Sequence, residues 1–321
     1  MKFKKRLLIL FFTLIILPIN VFAYSKKLIP GGENLGINIK SKGVLIVGFY
    51  DTRLQSDLRL GDIIVSINDN NINTIDDLLN YINPKIESNS LKIGYKRQDK
   101  ILYTNLNLEK DSNGVYKTGL YVKDSVTGIG TLTFIDPSNN TYGALGHSIT
   151  DSKTNIKFDV KDGKIFKADV SSIDKSLDGK TGEKNAKFYF ETNYGTIEKN
   201  LETGIFGTYK KEYDKTNLLS VASIDEIKLK DGVIRTTLDD NVIKDYSIEI
   251  ISIDSDSQTK NILFKITDKE LLEKTGGIVK GMSGSPIIQD GKIIGAVTHT
   301  VISDNTKGYG ISIIKMLESI E

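Results

Sequence analysis

Residues 281–286 read Gly-Met-Ser-Gly-Ser-Pro and have the composition of a serine nucleophile loop. A serine hydroxyl attacks a carbonyl efficiently only when a base takes its proton and backbone N–H groups receive the oxyanion. The loop glycines would let the backbone turn tightly enough to direct the amides of Gly281 and Ser283 at one point, forming an oxyanion hole. Ser285, fixed next to Pro286, is expected to shape the loop. This segment predicts acyl transfer, and the alternative interpretation is a small-residue turn between two strands.

The base, if it is a histidine, has two candidates, because the chain contains two histidines. His147 follows a glycine at the point where an apolar run gives way to polar residues, which fits a base held at the end of a barrel strand. His299 lies on the second predicted strand after Ser283, and we interpret it as a wall residue of the same pocket. We therefore predict that His147 is the base, with a structural histidine as the alternative.

A third group must orient the imidazole, and the chain offers many carboxylates. Asp268 ends an apolar stretch upstream of Ser283 and gives the chain order His, Asp, Ser, which is the order of double-barrel serine proteases. Asp151 is a rival because it lies close to His147 in the chain, although so short a separation more often reflects the solvation of a loop. We take Asp268 as the predicted third member of a catalytic triad.

These residues lie in blocks that resemble the stage IV sporulation protein B family of serine peptidases. The blocks are residues 127–134, 146–151 and 276–288, with further matches at 295–299 and 308–310. The resemblance runs from the N-terminal apolar segment nearly to the last residue. It implies a trypsin-like double β-barrel, with His147 as the base, Ser283 as the nucleophile and Asp268 in an orienting role.

The same resemblance implies a biological setting. Members of this family act in the space between the two membranes around a developing forespore and cleave themselves near the N-terminus. They also cut a membrane-bound regulator and so release an intramembrane metalloprotease, which processes the precursor of a mother-cell sigma factor. The expected partners are therefore protein substrates, among them a membrane-anchored regulator of an intramembrane protease.

Residues 28–110 read as a small α+β module. A helix is predicted to begin after Thr74, a good N-cap residue, and to run to Ile82, with Asp77 in its first turn, where a negative charge suits the helix dipole. The runs rich in β-branched and apolar residues predict strands at 36–39, 44–49, 63–67, 91–95 and 101–108.

This module resembles a PDZ domain through residues 58–68, which read Leu-Arg-Leu-Gly-Asp-Ile-Ile-Val-Ser-Ile-Asn. PDZ domains bind a peptide as an extra strand at a sheet edge. The resemblance implies that Leu35, Gly36 and Ile37 form the loop whose amides hold a C-terminal carboxylate, and an ordinary turn is the alternative. The ligand would be a peptide C-terminus or the chain's own N-terminal region.

After a linker at 110–114, residues 111–321 are predicted to form the peptidase domain, almost wholly of β structure. Asp-Gly pairs, typical of hairpin turns, fall between runs of strand-forming residues at 162–163, 178–179, 231–232 and 290–291. The last of these would place a hairpin directly after the nucleophile and hold Ser283 on a rigid frame. Short helices are expected at 269–274 and 313–320, and long surface loops in the polar segment 151–183.

Residues 1–23 have the pattern of a secretory signal, with basic residues, an apolar run and a final segment ending in Ala23. A membrane anchor is the alternative, although a spanning helix needs about 20 apolar residues and this run is shorter. We expect the protein to be exported across, or anchored in, the cytoplasmic membrane.

Composition excludes several other classes. The chain has no cysteine, so it has no disulfide, no thiolate nucleophile and no cysteine-bound metal. Two histidines make a histidine-rich zinc site a poor hypothesis, and we expect neither a metal nor a cofactor. Without residues 1–23, which carry four basic and no acidic side chains, 39 basic groups stand against 41 acidic ones, a balance that does not favour nucleic acid as a partner.

Two other functions fit the same features. One is a non-catalytic PDZ scaffold whose barrel keeps the shape of a protease. The other is an exported protease of broad specificity. Labelling of Ser283 by a serine-directed probe separates the first from an enzyme, and cleavage of unfolded proteins separates the second from a peptidase with few substrates.

Overall fold

The computed structural model of the protein describes residues 25–51, 56–82, 89–177, 179–239 and 241–320. The predicted secretory or anchoring segment, residues 1–23, lies outside these ranges. In the described part of the chain, no helix is long and apolar enough to cross a membrane. Strands dominate and form a small module and two barrels, which confirms the mainly β fold class.

The small module is an antiparallel sheet with one short helix. The first elements of the chain are β1 (Lys27–Pro30), β2 (Asn34–Phe49), β3 (Ile63–Ile67), β4 (Asn70–Asn71), α1 (Ile75–Asn80), β5 (Ser90–Arg97), β6 (Lys100–Asn107), β7 (Glu109–Lys110) and β8 (Tyr116–Lys117). The second half of β2 pairs with β3, β3 pairs with β5, and β5 pairs with β6. The Thr74 hydroxyl accepts a hydrogen bond from the Asp77 amide, and the Asp77 carboxylate accepts one from the Thr74 amide. This capping box fixes the start of α1 and confirms the predicted cap.

The first barrel is closed by six strand segments around an apolar core. Its further strands are β9 (Leu120–Asp136), β10 (Thr141–Ala144), β11 (Val160–Asp174), β12 (Glu183–Tyr189), β13 (Gly195–Thr196), β14 (Lys199–Leu201) and β15 (Gly204–Thr208). The circuit runs from the first half of β2 to β9, β10 and β15, then through residues 195–201 to β11 and back to β2. β12 pairs with the outer part of β11. Side chains such as Ile37, Leu132 and Tyr142 fill the interior.

The second barrel follows in the chain and carries the predicted nucleophile. Its elements are β16 (Leu219–Val221), β17 (Asp231–Thr237), β18 (Ile243–Ile253), β19 (Ile262–Ile266), α2 (Lys269–Thr275), β20 (Pro286–Gln289), β21 (Lys292–Val301), β22 (Asp304–Ser312) and α3 (Ile313–Glu318). The circuit is β17, β18, β19, β22, β21, β20 and back to β17. Both predicted helices are present. So is the hairpin of β20 and β21, whose turn residues Asp290 and Gly291 both have positive φ, as a type I′ turn requires.

The first half of β2 corrects the prediction for Leu35, Gly36 and Ile37. These residues do not form a loop, because they pair with β9 on one side and with β11 on the other. Leu35 and Ile37 are buried in the barrel core. Backbone groups that are paired on both edges cannot hold a peptide carboxylate, so the proposed carboxylate-binding loop is wrong. For the same reason residues 34–40 belong to the first barrel, and the small module does not begin at residue 28.

Three other local predictions are also corrected. The Asp-Gly pairs at 162–163 and 231–232 lie inside β11 and β17 rather than at hairpin turns, whereas Asp178 lies outside the described residues. Much of the polar segment 151–183 is the strand β11, not a surface loop. The predicted linker at 110–114 is the turn of the hairpin β7–β8. In the first two cases pairing with a distant strand outweighs the local turn or loop signal, whereas the third is a local hairpin.

Candidate active site

The nucleophile loop lies between the two barrels and is bonded to both. The carbonyl of Ser283 accepts a hydrogen bond from the Thr131 amide at 2.9 Å. The hydroxyls of Thr131 and Thr133 donate to the carbonyls of Gly281 and Gly284, at 2.8 Å and 2.7 Å. Both threonines lie on β9 and are fully buried. A strand of the first barrel therefore fixes the position of a loop that belongs to the second.

Gly284 is required at its position. Its φ of +92° is strained for any residue with a side chain, and a Cβ there would lie 2.1 Å from the Thr131 carbonyl oxygen. The loop can approach β9 closely only because this residue has no side chain.

Two amides of the loop have no hydrogen-bond partner among the described residues, those of Gly281 and Ser283. The amides between and after them are used: Met282 donates to Val279, Gly284 to Val297 and Ser285 to Met282, all carbonyl oxygens. Free amides two residues apart on a fixed turn can donate together to one oxyanion. They are the two amides predicted for the oxyanion hole.

His147 and Ser283 line the same pocket, which has a volume of about 750 Å³. Nδ1 of His147 lies 2.9 Å from the Ser148 carbonyl oxygen. A carbonyl oxygen can only accept, so Nδ1 carries the proton, and the neutral ring keeps its lone pair on Nε2. Burial lowers the pKa of His147, although the Ser148 carbonyl and the nearby Glu202 oppose this effect. The ring is therefore held in the neutral form that a general base needs.

The Ser283 hydroxyl donates to the Thr298 carbonyl oxygen at 3.0 Å, and no hydrogen bond joins it to His147 in the described structure. Proton transfer to His147 requires this hydroxyl to rotate away from Thr298. Such catalytic hydrogen bonds often form only when substrate is bound. His299 lies in the pocket wall, with its ring centroid 5.3 Å from that of His147. Burial lowers the pKa of His299 to about 4, and the nearby His147 and Lys260 add to this effect.

The structure places Asp268 elsewhere. Its carboxylate accepts hydrogen bonds from the amides of Leu271, at 2.9 Å, and Ser247, at 3.3 Å, and so caps the N-terminus of α2. Asp268 does not line the pocket that holds His147 and Ser283. The predicted orienting role of Asp268 is thus not seen in this geometry, because its carboxylate already serves the helix. The group that orients His147 is the Ser148 carbonyl, which no sequence motif marks.

Asp151, the other carboxylate considered, is almost fully buried and holds its own loop in place through hydrogen bonds. Its carboxylate accepts from the amides of Lys153 and Thr154 and from the ammonium of Lys123. Burial alone would raise the pKa of Asp151, but the Lys123 ammonium and these amides lower it to about 2. Asp151 therefore supports the segment after His147 and joins it to β9.

Sequence reasoning missed Lys184, which is fully buried at the start of β12. Its ammonium donates to the side-chain oxygens of Asn34 and Thr236 and to the Thr237 carbonyl, at distances of 2.9, 3.2 and 2.8 Å. Burial lowers the pKa of Lys184 to about 7. Its aliphatic part lies 3.1 Å from the point where a Cβ of Gly281 would be. Lys184 thus links both barrels beneath the nucleophile loop, and a single lysine in a polar strand gives no signal of this role.

A double β-barrel whose cleft holds a serine on a fixed loop, a neutral histidine and two free loop amides defines a serine peptidase of the trypsin-like class. Residues 114–317 match the SpoIVB peptidase S55 family, so the chain belongs to this family of sporulation serine peptidases. Its reaction is that of a serine endopeptidase on protein substrates.

Solved structures are similar to part of the chain, and one of them is a PDZ domain. It is the crystal structure of the PDZ domain of an SdrC-like protein from Listeria monocytogenes. It is 25% identical, covers 27% of this chain and 93% of that domain, and has a TM-score of 0.24. Among curated proteins, none matches the chain.

Proposed function

We propose that this protein is an exported sporulation endopeptidase that cleaves itself and a membrane-bound regulator of an intramembrane protease. Through that cleavage it would trigger the processing of a mother-cell sigma factor precursor. The observation that carries the catalytic part is the nucleophile loop, with its two free amides and its hydrogen bonds to β9. The targets and the setting rest on membership of the family.

In the proposed mechanism, Nε2 of His147 takes the proton of the Ser283 hydroxyl as Oγ attacks the peptide carbonyl. The amides of Gly281 and Ser283 donate to the oxyanion of the tetrahedral intermediate. His147 then returns the proton to the leaving amine, which gives an acyl-enzyme. Water, deprotonated by the same ring, hydrolyses the ester and restores Ser283.

The N-terminal segment and the small module supply the rest of the proposal. Residues 1–23 would direct export across the cytoplasmic membrane or anchor the protein in it, and the enzyme would then act between the forespore and mother-cell membranes. The small module would bind a peptide C-terminus or the chain's own N-terminal region and so regulate cleavage.

A serine-directed fluorophosphonate tests the enzyme directly. We expect labelling of the native protein at Ser283, located by mass spectrometry, and no labelling of heat-denatured protein. Ser283→Ala should abolish labelling and self-cleavage. The matched control is Ser285→Ala in the same loop, because the Ser285 hydroxyl is buried and has no hydrogen-bond partner among the described residues. Self-cleavage by Ser283→Ala at the wild-type rate would overturn the assignment.

A non-catalytic scaffold is the second candidate. The observation that favours it is the Ser283 hydroxyl, which donates to Thr298 and not to His147. A scaffold predicts no fluorophosphonate labelling of the native protein and full binding of peptides by the Ser283→Ala variant. The broad-specificity alternative predicts rapid cleavage of unfolded casein, whereas a dedicated enzyme should leave casein largely intact.

A further inference from the structure

The two free amides of the nucleophile loop are held by different parts of the molecule. The peptide unit that carries the Ser283 N–H has its carbonyl bonded to the Ser285 amide, inside the same loop. The peptide unit that carries the Gly281 N–H has the carbonyl of Lys280, which accepts a hydrogen bond from the backbone amide of Lys184 at 3.0 Å. One oxyanion donor is therefore fixed within the loop, whereas the other is fixed by β12.

The hydrogen bond from Lys184 sets the direction of the Gly281 N–H. A trans peptide unit is planar, and its N–H points away from its carbonyl. Whatever fixes the Lys280 carbonyl therefore also fixes the Gly281 N–H. The Lys280 amide in turn donates to the Gly182 carbonyl at 2.9 Å, so the chain at the start of β12 bonds to both backbone groups of Lys280. Rotation of this peptide unit would redirect the Gly281 N–H and break the bond from Lys184.

The aliphatic part of the Lys184 side chain packs against the same peptide unit. Its Cδ and Cβ lie 3.1 Å and 3.2 Å from the point where a Cβ of Gly281 would be. The Gly281 backbone, with a φ of +94°, can approach Lys184 this closely because it carries no side chain. The Gly281 carbonyl is held separately by the Thr131 hydroxyl of β9. Lys184 thus contacts the part of Gly281 that β9 leaves free.

The Lys184 ammonium ties the start of β12 to both barrels. An ammonium has three N–H donors, and Nζ of Lys184 has three acceptors. They are the side-chain oxygen of Asn34 on β2 and, on β17, the Thr236 hydroxyl and the Thr237 carbonyl. All four residues are buried. A buried ammonium without hydrogen-bond partners is costly, so these three bonds hold the side chain, and with it the backbone amide of Lys184, in this arrangement.

We infer that Lys184 is a positioning residue for peptide hydrolysis. Its ammonium, bonded to both barrels, holds its backbone amide against the Lys280 carbonyl and so directs the Gly281 N–H at the oxyanion. This inference rests on the proposed function, because it assigns a role in oxyanion stabilisation at the same site. Glu183 and Lys280 line the pocket, whereas Lys184 does not. Its removal should therefore weaken an interaction made in the transition state and leave the binding of the substrate itself unchanged.

The first test replaces Lys184 by methionine, which retains much of the aliphatic side chain and removes the ammonium. For a fluorogenic peptide that the wild-type enzyme cleaves, we expect kcat of Lys184→Met to fall by roughly 10- to 100-fold, somewhat less than on complete loss of an oxyanion donor. KM should change by less than about twofold. The matched control is Lys187→Met, which removes an exposed lysine from the same strand and should leave kcat and KM unchanged.

A peptide trifluoromethyl ketone reports on the oxyanion hole directly. Oγ of Ser283 bonds to its carbonyl carbon, His147 accepts the hydroxyl proton, and the carbonyl π electrons move to the oxygen, which becomes the oxyanion. The affinity of Lys184→Met for this ketone should fall by the same factor as kcat/KM. The ketone forms no adduct in a Ser283→Ala background, and there the Lys184→Met change should not alter its affinity. Wild-type affinity of Lys184→Met for the ketone, or an equal loss in the Ser283→Ala background, would overturn the inference.

Thr236→Val is a milder variant that decides the question if Lys184→Met does not fold. It removes one acceptor of the Lys184 ammonium and keeps the shape of the side chain. We expect kcat and the affinity for the ketone to fall together by a few fold, with KM unchanged; no change in either would contradict the inference. Where both variants fold, the losses in the double variant should be less than additive, because both act through the same ammonium. Fully additive losses would show that Thr236 acts independently of Lys184.

Fluorophosphonate labelling of the wild-type protein separates this inference from the proposed function. If Ser283 is labelled and the peptide is cleaved, but Lys184→Met and Thr236→Val behave as the wild type, the inference fails and the proposed function stands. If the wild-type protein is neither labelled nor active, both fail.

Discussion

On the serine side of the pocket, the nucleophile loop is bonded to β9 by three hydrogen bonds and rests on the buried Lys184. On the histidine side, one carbonyl, that of Ser148, holds the His147 ring, and the expected aspartate caps a helix instead. The two sides of one catalytic pocket are therefore supported very unequally.

This difference indicates where the rate of such an enzyme is set. Oxyanion stabilisation depends on donors that are fixed before the reaction, and the serine side meets this condition. Among the described residues no carboxylate is hydrogen-bonded to His147, and the Ser283 hydroxyl donates to Thr298. If substrate binding brings the Ser283 hydroxyl into a hydrogen bond with His147, cleavage depends on the correct substrate.

The largest expected effect comes from the histidine side. His147→Ala should lower kcat/KM by roughly 10²–10⁴-fold, the usual contribution of a general base. His299→Ala, which changes the neighbouring ring in the same pocket, should leave most of the activity. Single-turnover cleavage of a fluorogenic peptide that the wild-type enzyme cleaves measures both. Full activity of His147→Ala with His299 intact would move the base elsewhere.

The pH dependence of kcat/KM tests the protonation state of His147 on the histidine side of the pocket. Since burial lowers the pKa of His147 below its ordinary value of 6.5, the ring remains neutral, and active as a base, as the pH falls through 6.5. Below its pKa, kcat/KM should fall by about tenfold per pH unit. Glu202→Gln removes a charge that raises this pKa, so the acid limb should move to lower pH. Glu198→Gln, outside the pocket, is the control, and an acid limb above pH 6.5 would contradict the burial argument.

On the serine side, Gly284→Ala should cost at least about 1–2 kcal/mol of stability from its positive φ alone, and more from the clash with the Thr131 carbonyl. Activity should fall with it, because the loop must leave β9. Gly291→Ala is a matched control: its φ is also positive, +72°, but no atom lies within 4 Å of the added Cβ. Urea unfolding measures the stability of both variants, and fluorophosphonate labelling measures the reactivity of Ser283 in each. Equal behaviour of the two would mean that contact with β9 does not hold the loop.

The smallest effect is expected at Asp268. Asp268→Ala should cost about 1 kcal/mol through the loss of a helix cap, whereas Asp268→Asn, which can still cap, should change little. Neither should alter kcat by more than a few fold. If Asp268 does orient His147 in the working enzyme, Asp268→Asn should instead lower kcat by about 10⁴-fold, as expected when the histidine is held in the wrong tautomer. Thermal unfolding and steady-state kinetics of the pair distinguish the two roles.

The features that sequence reasoning predicted well depend on a few adjacent residues. The capping box of Thr74 and Asp77 and the Asp290-Gly291 turn are local, since each joins groups within a few positions of one another. The loop around Ser283 was predictable for the same reason, because its glycines and its two free amides lie within a few residues of one another. Asp268 was misjudged because its type fits a triad and a helix cap equally well, and only its neighbours in space distinguish the two.

The sequence by itself determined the nucleophile loop, the cap of α1 at Thr74 and the mainly β character of the chain, and it limited a histidine base to His147 or His299. The tertiary structure decided which strands pair. It placed Leu35, Gly36 and Ile37 in the first barrel, opposite residues of β9 far away in the chain, and it brought Thr131 and Thr133 of β9 against the nucleophile loop. The physical reason is that hydrogen bonds between strands are non-local. A strand of suitable composition can pair with many partners, and only the packing of the whole barrel selects among them.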